Sequence, residues 1–281
     1  SHPFFLYSLM GMIVGIFDIW LLQISSGSVE QGYFGLSYQI GAICFMFTSA
    51  MTPLIMREFS IAYSKKDLKS MAYLFRKHIP LLYAITAVLA CFISVNADRL
   101  TLIMGGGKFS DAFLVVAIMA FYPVHQTYGQ LSGSVFYACD RTKIYCNIGI
   151  LSMLISLPIT YFLVAPNKFF GFNAGSVGLA AKVVLIQFVT VNVQLFFNSK
   201  LLGFSFWKYL GHQFFSVAVF LIIAIFSRII IDHILIIHPG VVITFLFCGV
   251  LYLAMISIFI YFVPLAIGVK RSELMIKLRM R

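Results

Sequence analysis

Between Gly35 and Leu54 the chain runs for twenty residues without one charged side chain, and no other feature limits the fold as strongly. At about 1.5 Å per helical residue, such a run reaches across the roughly 30 Å hydrocarbon layer of a bilayer. Arg57 and Glu58 close it, and Lys65, Lys66, Lys69, Arg76 and Lys77 place five cations within the next thirteen-residue cluster. A basic cluster beside an apolar span marks its cytoplasmic side. The run and its flank thus predict both a membrane crossing and its direction.

Runs of the same kind recur along the chain. With 61% hydrophobic and 10% charged residues in 281, the polar side chains are too few to cover a soluble globule of this size. The runs are too long for barrel strands and do not alternate in polarity. The expected fold is all-α, a polytopic membrane bundle of about eight transmembrane helices. Seven are bounded at residues 3–24, 35–54, 78–97, 112–138, 144–165, 214–231 and 241–267, and the sixth in chain order opens at Gly175. Residues 1–200 read as a six-helix lobe, and residues 201–281 as two additional helices with a basic tail.

If these spans alternate, fifteen of the 20 Lys and Arg fall on one side and four on the other, leaving Lys182 inside a span. That asymmetry accounts for the net charge of +11 without a nucleic-acid partner. Both termini are then expected in the cytoplasm, with Lys270, Arg271, Lys277, Arg279 and Arg281 holding the tail there. Ser1-His2-Pro3 is unlike a natural start and no signal peptide precedes the first span, so the chain reads as a fragment.

Local patterns refine the picture. KKDLKSMAYLFRK, from Lys65 to Lys77, sets Leu68, Met71, Ala72 and Phe75 against lysines and predicts a short helix lying on the inner leaflet. SSGSVEQG and ADRLTLIMGGGKFSDA read as outer loops, and the last two spans read as almost purely aliphatic and aromatic. Cys44, Cys91, Cys139, Cys146 and Cys248 lack metal-ligand spacing and read as packing residues. No metal or cofactor is expected. HExxH, GxSxG, a P-loop and paired intramembrane carboxylates are all missing from the sequence, which argues against an enzyme.

The candidate binding residues are polar groups at membrane depth. Asp18 in the first span is costly there, and reads either as part of an ion or substrate path or as a wet or capping group near the outer interface. Lys182 in the sixth span is expected to face a cavity and meet an anionic group; a structural salt bridge, with Asp18 for instance, and snorkelling are the alternatives. In the fourth span Tyr122, Gln126 and Gln130 share a face, with His125 beside them, suited to sugar hydroxyls or phosphate or else to interhelical hydrogen bonds. Gln39 in the second span and Arg57 at its inner end complete the set, Arg57 also serving as a topology anchor.

Several stretches, taken in order, carry a resemblance. FDIWLLQISSGSVEQGYFGLSYQI at Phe17 to Ile40 and AMTPLIMREFS at Ala50 to Ser60 are followed by GGGKFSDA at Gly105 to Ala112. ACDRTK at Ala138 to Lys143 and GSVGLAAK at Gly175 to Lys182 complete the series. The succession resembles the polysaccharide and O-antigen flippases of the multidrug/oligosaccharidyl-lipid/polysaccharide exporter superfamily, and covers roughly residues 3–200.

The resemblance implies the second lobe of a two-lobe transporter plus two extra helices, with a missing N-terminal lobe or a second chain needed to close the cavity. It further implies a bacterial inner-membrane protein moving a polyprenyl-pyrophosphate-linked oligosaccharide by alternating access, for surface polysaccharide synthesis. Membrane lipids and the lipid-linked glycan are the expected partners. An ion-coupled multidrug exporter is the nearest alternative, and a membrane-embedded polysaccharide polymerase or ligase a more distant one.

Overall fold

The computed structural model describes residues 2–234 and 240–268, and the described residues are helical almost throughout. Seven helices among them are long and apolar enough to cross a membrane. The basic tail beyond residue 268, with the expectation attached to it, lies outside the described residues.

The first helix, α1, runs from His2 to Ser64 and contains one non-helical residue, Gly27, at φ 88° and ψ 178°. A side chain there would meet the backbone strain of the left-handed region, which glycine avoids. That single residue divides α1 into two arms that double back. Near the start, Phe4 and Tyr7 pack on Tyr137 and Tyr145, on either side of the turn between the fifth and sixth helices. Near the far end, Thr52 bonds Gln130 of the fifth helix. Glu30, just past the bend, instead meets Ser176 at the start of the seventh. The segment expected as an outer loop is therefore helical on both sides of one bend.

The next helix, α2 (Leu68–Val95), merges the expected surface helix and third span into one element. Asp67 caps it, accepting from the Ser70 amide at 2.9 Å and from its hydroxyl at 2.6 Å. Met71, Ala72 and Phe75 are buried as expected, but Leu68 is exposed beside the lysines. The second expected outer loop is also helical: α3 (Ala97–Gly105) and a 3-10 turn lead into α4 (Phe113–Met119) and α5 (Tyr122–Ala138). Then follow α6 (Thr142–Val164), α7 (Gly175–Leu202), α8 (Phe206–Ile234) and α9 (Val241–Phe262).

Packing separates into two regions. The arms of α1 enclose α5, and α6 and α7 pack against the first arm, around Leu21, Leu22, Val164, Leu179 and Ala180. The second core joins the later part of the second arm to α2, α5, the later part of α7, α8 and α9 around Phe59, Phe75, Tyr83, Tyr128, Leu195 and Phe220, and a smaller cluster of Ile40, Ala97 and Val116 lies apart. Between the two cores Thr48, Thr86 and Thr127 form a buried triangle with 3.2 Å edges, tying the second arm to α2 and α5.

Helix α8 packs mainly on α2 and touches α7 at few points, although only three residues connect them. Its end is not purely apolar, contrary to expectation. Arg228 reaches Asp98 at 2.8 and 2.7 Å through two nitrogens, and Arg99 pairs with Asp232, so α8 is fastened to α3 by charge.

Candidate functional site

The site grows from three helices that each place one polar residue at the same level. Asp18 lies nine residues before the bend in α1, Thr160 near the end of α6 and Lys182 two turns into α7. The Lys182 ammonium stands 2.6 Å from Asp18 Oδ2. The Thr160 hydroxyl lies 2.8 Å from Asp18 Oδ1 and 3.0 Å from the Ser156 carbonyl, so its proton is shared between two acceptors. Asp18 is 8% exposed and Lys182 3%. Two opposite charges this deeply buried exist because each neutralises the other; removing one strands its partner.

Below the pair opens a cavity of about 160 Å³, lined by Tyr7 and Val14 of α1, Tyr122 of α5, Ser152 and Ser156 of α6, and Lys182, Gln187 and Thr190 of α7. The lining follows from helical spacing. Ser152, Ser156 and Thr160 recur every four residues on α6 and so share one face. Gly149 extends that face, and a β-carbon there would fall inside contact distance of the Tyr7 ring. Close approach of the first arm to α6 therefore depends on that glycine.

The hydroxyls of Ser152, Ser156 and Thr190 donate to carbonyls of their own helices at 2.9, 2.8 and 2.7 Å. Their oxygens thus turn lone pairs toward the cavity, and donors come chiefly from Lys182 and the two tyrosines. Gln187 donates to Gln126, which fixes the amide on the α7 wall. The Lys182 ammonium at the cavity's edge is already matched by Asp18, and the lining combines apolar Val14, Met153, Val183 and Ile186 with a few hydroxyls and one amide, a mixed surface without net charge.

Of the residues expected from the sequence, Asp18, Lys182, Tyr122 and Gln126 come together here. Lys182 meets two of its sequence readings at once, salt-bridged to Asp18 and lining the cavity. Gln130 is drawn off by Thr52, whose hydroxyl donates to it at 2.9 Å. His125 faces away from this cavity, its ring 5.0 Å from Phe188 in a separate apolar crevice. Gln39 and Arg57 are exposed on the second arm, Gln39 along a shallow surface depression with Ala42, Met46 and Ser49.

Thr160, Ser152 and Ser156 are the site residues that sequence reasoning missed; their four-residue spacing in α6 was the available signal. Among the described residues no group of His, Cys, Asp and Glu is placed to hold a metal, and the five cysteines are buried and unpaired. No family model, no curated protein and no solved structure matches the chain.

Proposed function

We propose that the chain is a transporter lobe with two added helices, carrying a polyprenyl-pyrophosphate-linked oligosaccharide across the bacterial inner membrane. The observation that carries this reading is the Asp18–Lys182 pair on the roof of a hydroxyl-lined cavity. An ionised pair at membrane depth is expensive and is ordinarily kept for a path along which something polar moves. One buried acid matched by one buried lysine leaves no surplus of acids, which a carrier of cationic drugs would be expected to place in its cavity.

In this reading the two arms of α1 are separate crossings, so seven long helices make eight passes. The exposed cations Lys65, Lys66, Lys69, Arg76 and Lys77 mark the cytoplasmic end. The inner mouth of the cavity then lies near Tyr7 and Tyr145, where a lipid headgroup arriving from the cytoplasmic leaflet would enter. A headgroup charge leaving a negative interior gains about 2.3 kcal/mol per 100 mV, so the potential itself favours outward movement.

The test is complementation by the full-length protein in a strain lacking its lipid-linked-oligosaccharide flippase, scoring surface glycan and inner-leaflet accumulation of the precursor. Wild type is expected to restore the glycan and clear the precursor, and the doubly neutral D18N/K182Q variant to insert normally but leave it accumulated. Unchanged accumulation with wild type would overturn the reading.

A further inference from the structure

His125 opens onto a second space that the transport path does not use. The wedge between α7 and α8 is floored by Tyr83, Phe121 and His125 and walled by Leu185 and Phe188 on one side and Phe214 and Val217 on the other. It measures about 400 Å³. It exists because α8 leans on α2 and leaves α7 almost at once after the short connection. Its lips, Leu185 and Phe214, are 61% and 60% exposed.

The polar groups of the floor and walls are nearly all spent within the protein. The Tyr83 hydroxyl lies 3.4 Å from the Gln213 carbonyl, and the Gln213 amide pairs with Asn192 at 3.0 and 3.4 Å. The buried Nδ1 of His125 is left without a partner. A resident water needs two to four polar partners, and one imidazole does not supply them. Open along its lips, the wedge presents an apolar floor and walls that favour an apolar occupant over water. What fills the wedge is therefore apolar and comes from outside the described residues. At this depth, along two helices of mean hydropathy 1.7 and 2.7, the surrounding medium is hydrocarbon.

We propose that the wedge between α7 and α8 is a binding site for one acyl chain of a bilayer lipid, laid against His125 and Phe188. The inference rests on the membrane-embedded reading above, but not on the identity of the cargo. The chain enters between Leu185 and Phe214 and packs on the aromatic floor. Phe188, which meets His125 edge-on at 5.0 Å and Phe214 at 5.7 Å, forms the shared wall.

The test uses the full chain in phosphatidylglycerol nanodiscs doped with a phosphatidylcholine bearing a diazirine midway along one acyl chain. After illumination, adducts are mapped by peptide mass spectrometry. Adducts are expected at Phe188, Phe214 and Val217 beyond the level at the exposed bilayer-facing residues Leu151 and Val250. Two wedge-filling variants, Ala218→Trp at the mouth and Val217→Phe inside, should lower the wedge adducts several-fold and leave those on α6 and α9 unchanged. Labelling at Leu151 and Val250 without excess in the wedge, or wedge adducts indifferent to both variants, overturns the proposal while sparing the membrane reading. Absence of adducts anywhere overturns the membrane reading itself. Crosslinks joining Leu185 or Phe214 to a second protein chain, with the wedge shielded from the probe, assign it to a protein neighbour and equally overturn the proposal.

Discussion

Neutralising Asp18 and Lys182 one at a time, and then together, separates the cost of an orphaned charge from the net worth of the pair. At 2.6 Å and an effective dielectric of 20, the direct attraction is about 6 kcal/mol. Desolvation of both groups offsets much of it, so the pair's net worth is far smaller. Breaking such a pair from one side nonetheless costs about 3–5 kcal/mol, because a bare charge stays behind. Lys182→Met is expected to lower the thermal midpoint of the detergent-solubilised protein by on the order of 10 °C. Asp18→Asn leaves Thr160 a carbonyl to bond and strands the ammonium, for a loss of similar size. The double variant D18N/K182M carries no unpaired charge and should recover most of the stability lost by either single change. Size-exclusion profiles after heating read the three midpoints side by side. Single losses that simply add in the double variant would refute the reasoning, since additivity means the two residues do not interact.

Two glycines should fail for different reasons. Gly149→Ala drives a methyl into the Tyr7 ring and is expected to cost about 1–3 kcal/mol, with partial rescue by Tyr7→Ala. Gly27→Ala meets no atom within 4 Å and should cost roughly 1–2 kcal/mol through backbone strain alone, with no rescue by trimming neighbours; midpoint shifts in the paired variants check both. The Ser70 hydroxyl and then its amide hold the Asp67 carboxyl below the usual carboxylate range. Its capping contribution is therefore present above the unfolded-state pKa and lost as pH falls through the lower folded-state value. Protection of the amides at the start of α2, taken relative to their intrinsic exchange at each pH, should fall in that acid window in wild type and be low at all pH in Asp67→Ala. Finally, Val29→Cys and Phe170→Cys should react with a membrane-impermeant thiol reagent from the side opposite Lys66→Cys. Labelling of Val29→Cys and Lys66→Cys from one side would refute the double crossing of α1.

The helices themselves were legible because long uncharged runs have few alternatives, and Asp18 and Lys182 stood out because charge in such runs is conspicuous. Their pairing was weighed but not determined, since it joins residues 164 apart, a separation over which periodicity carries no information. His125 lies elsewhere for a different reason: it adjoins Gln126 in the chain, yet one residue of helix turns it by about 100° from Gln126 and from the face that Gln126 shares with Tyr122 and Gln130. The α6 hydroxyls carry only their four-residue spacing as a signal, because serine and threonine satisfy themselves on their own helix backbone and so pass for packing residues. The loops predicted at Gly27 and Gly106 are instead helical on both sides, because at each a glycine with positive φ redirects the chain, after Gly106 into a short 3-10 segment.

The bend at Gly27 behaves like the rivet of a pair of tongs whose handles are the two arms of α1. Both sides of the rivet are held by α7, Asp18 by Lys182 and Glu30 by the Ser176 amide at 2.9 Å. Those two anchor points lie six residues apart on one helix, about 9 Å along its axis. The far ends are held as well, Tyr7 against Tyr145 and Thr52 by Gln130, but by ring packing and a neutral hydrogen bond rather than by charge. The grip on α1 is thus graded: charged groups hold it on both sides of Gly27, and neutral contacts hold it toward the end that carries the lysines.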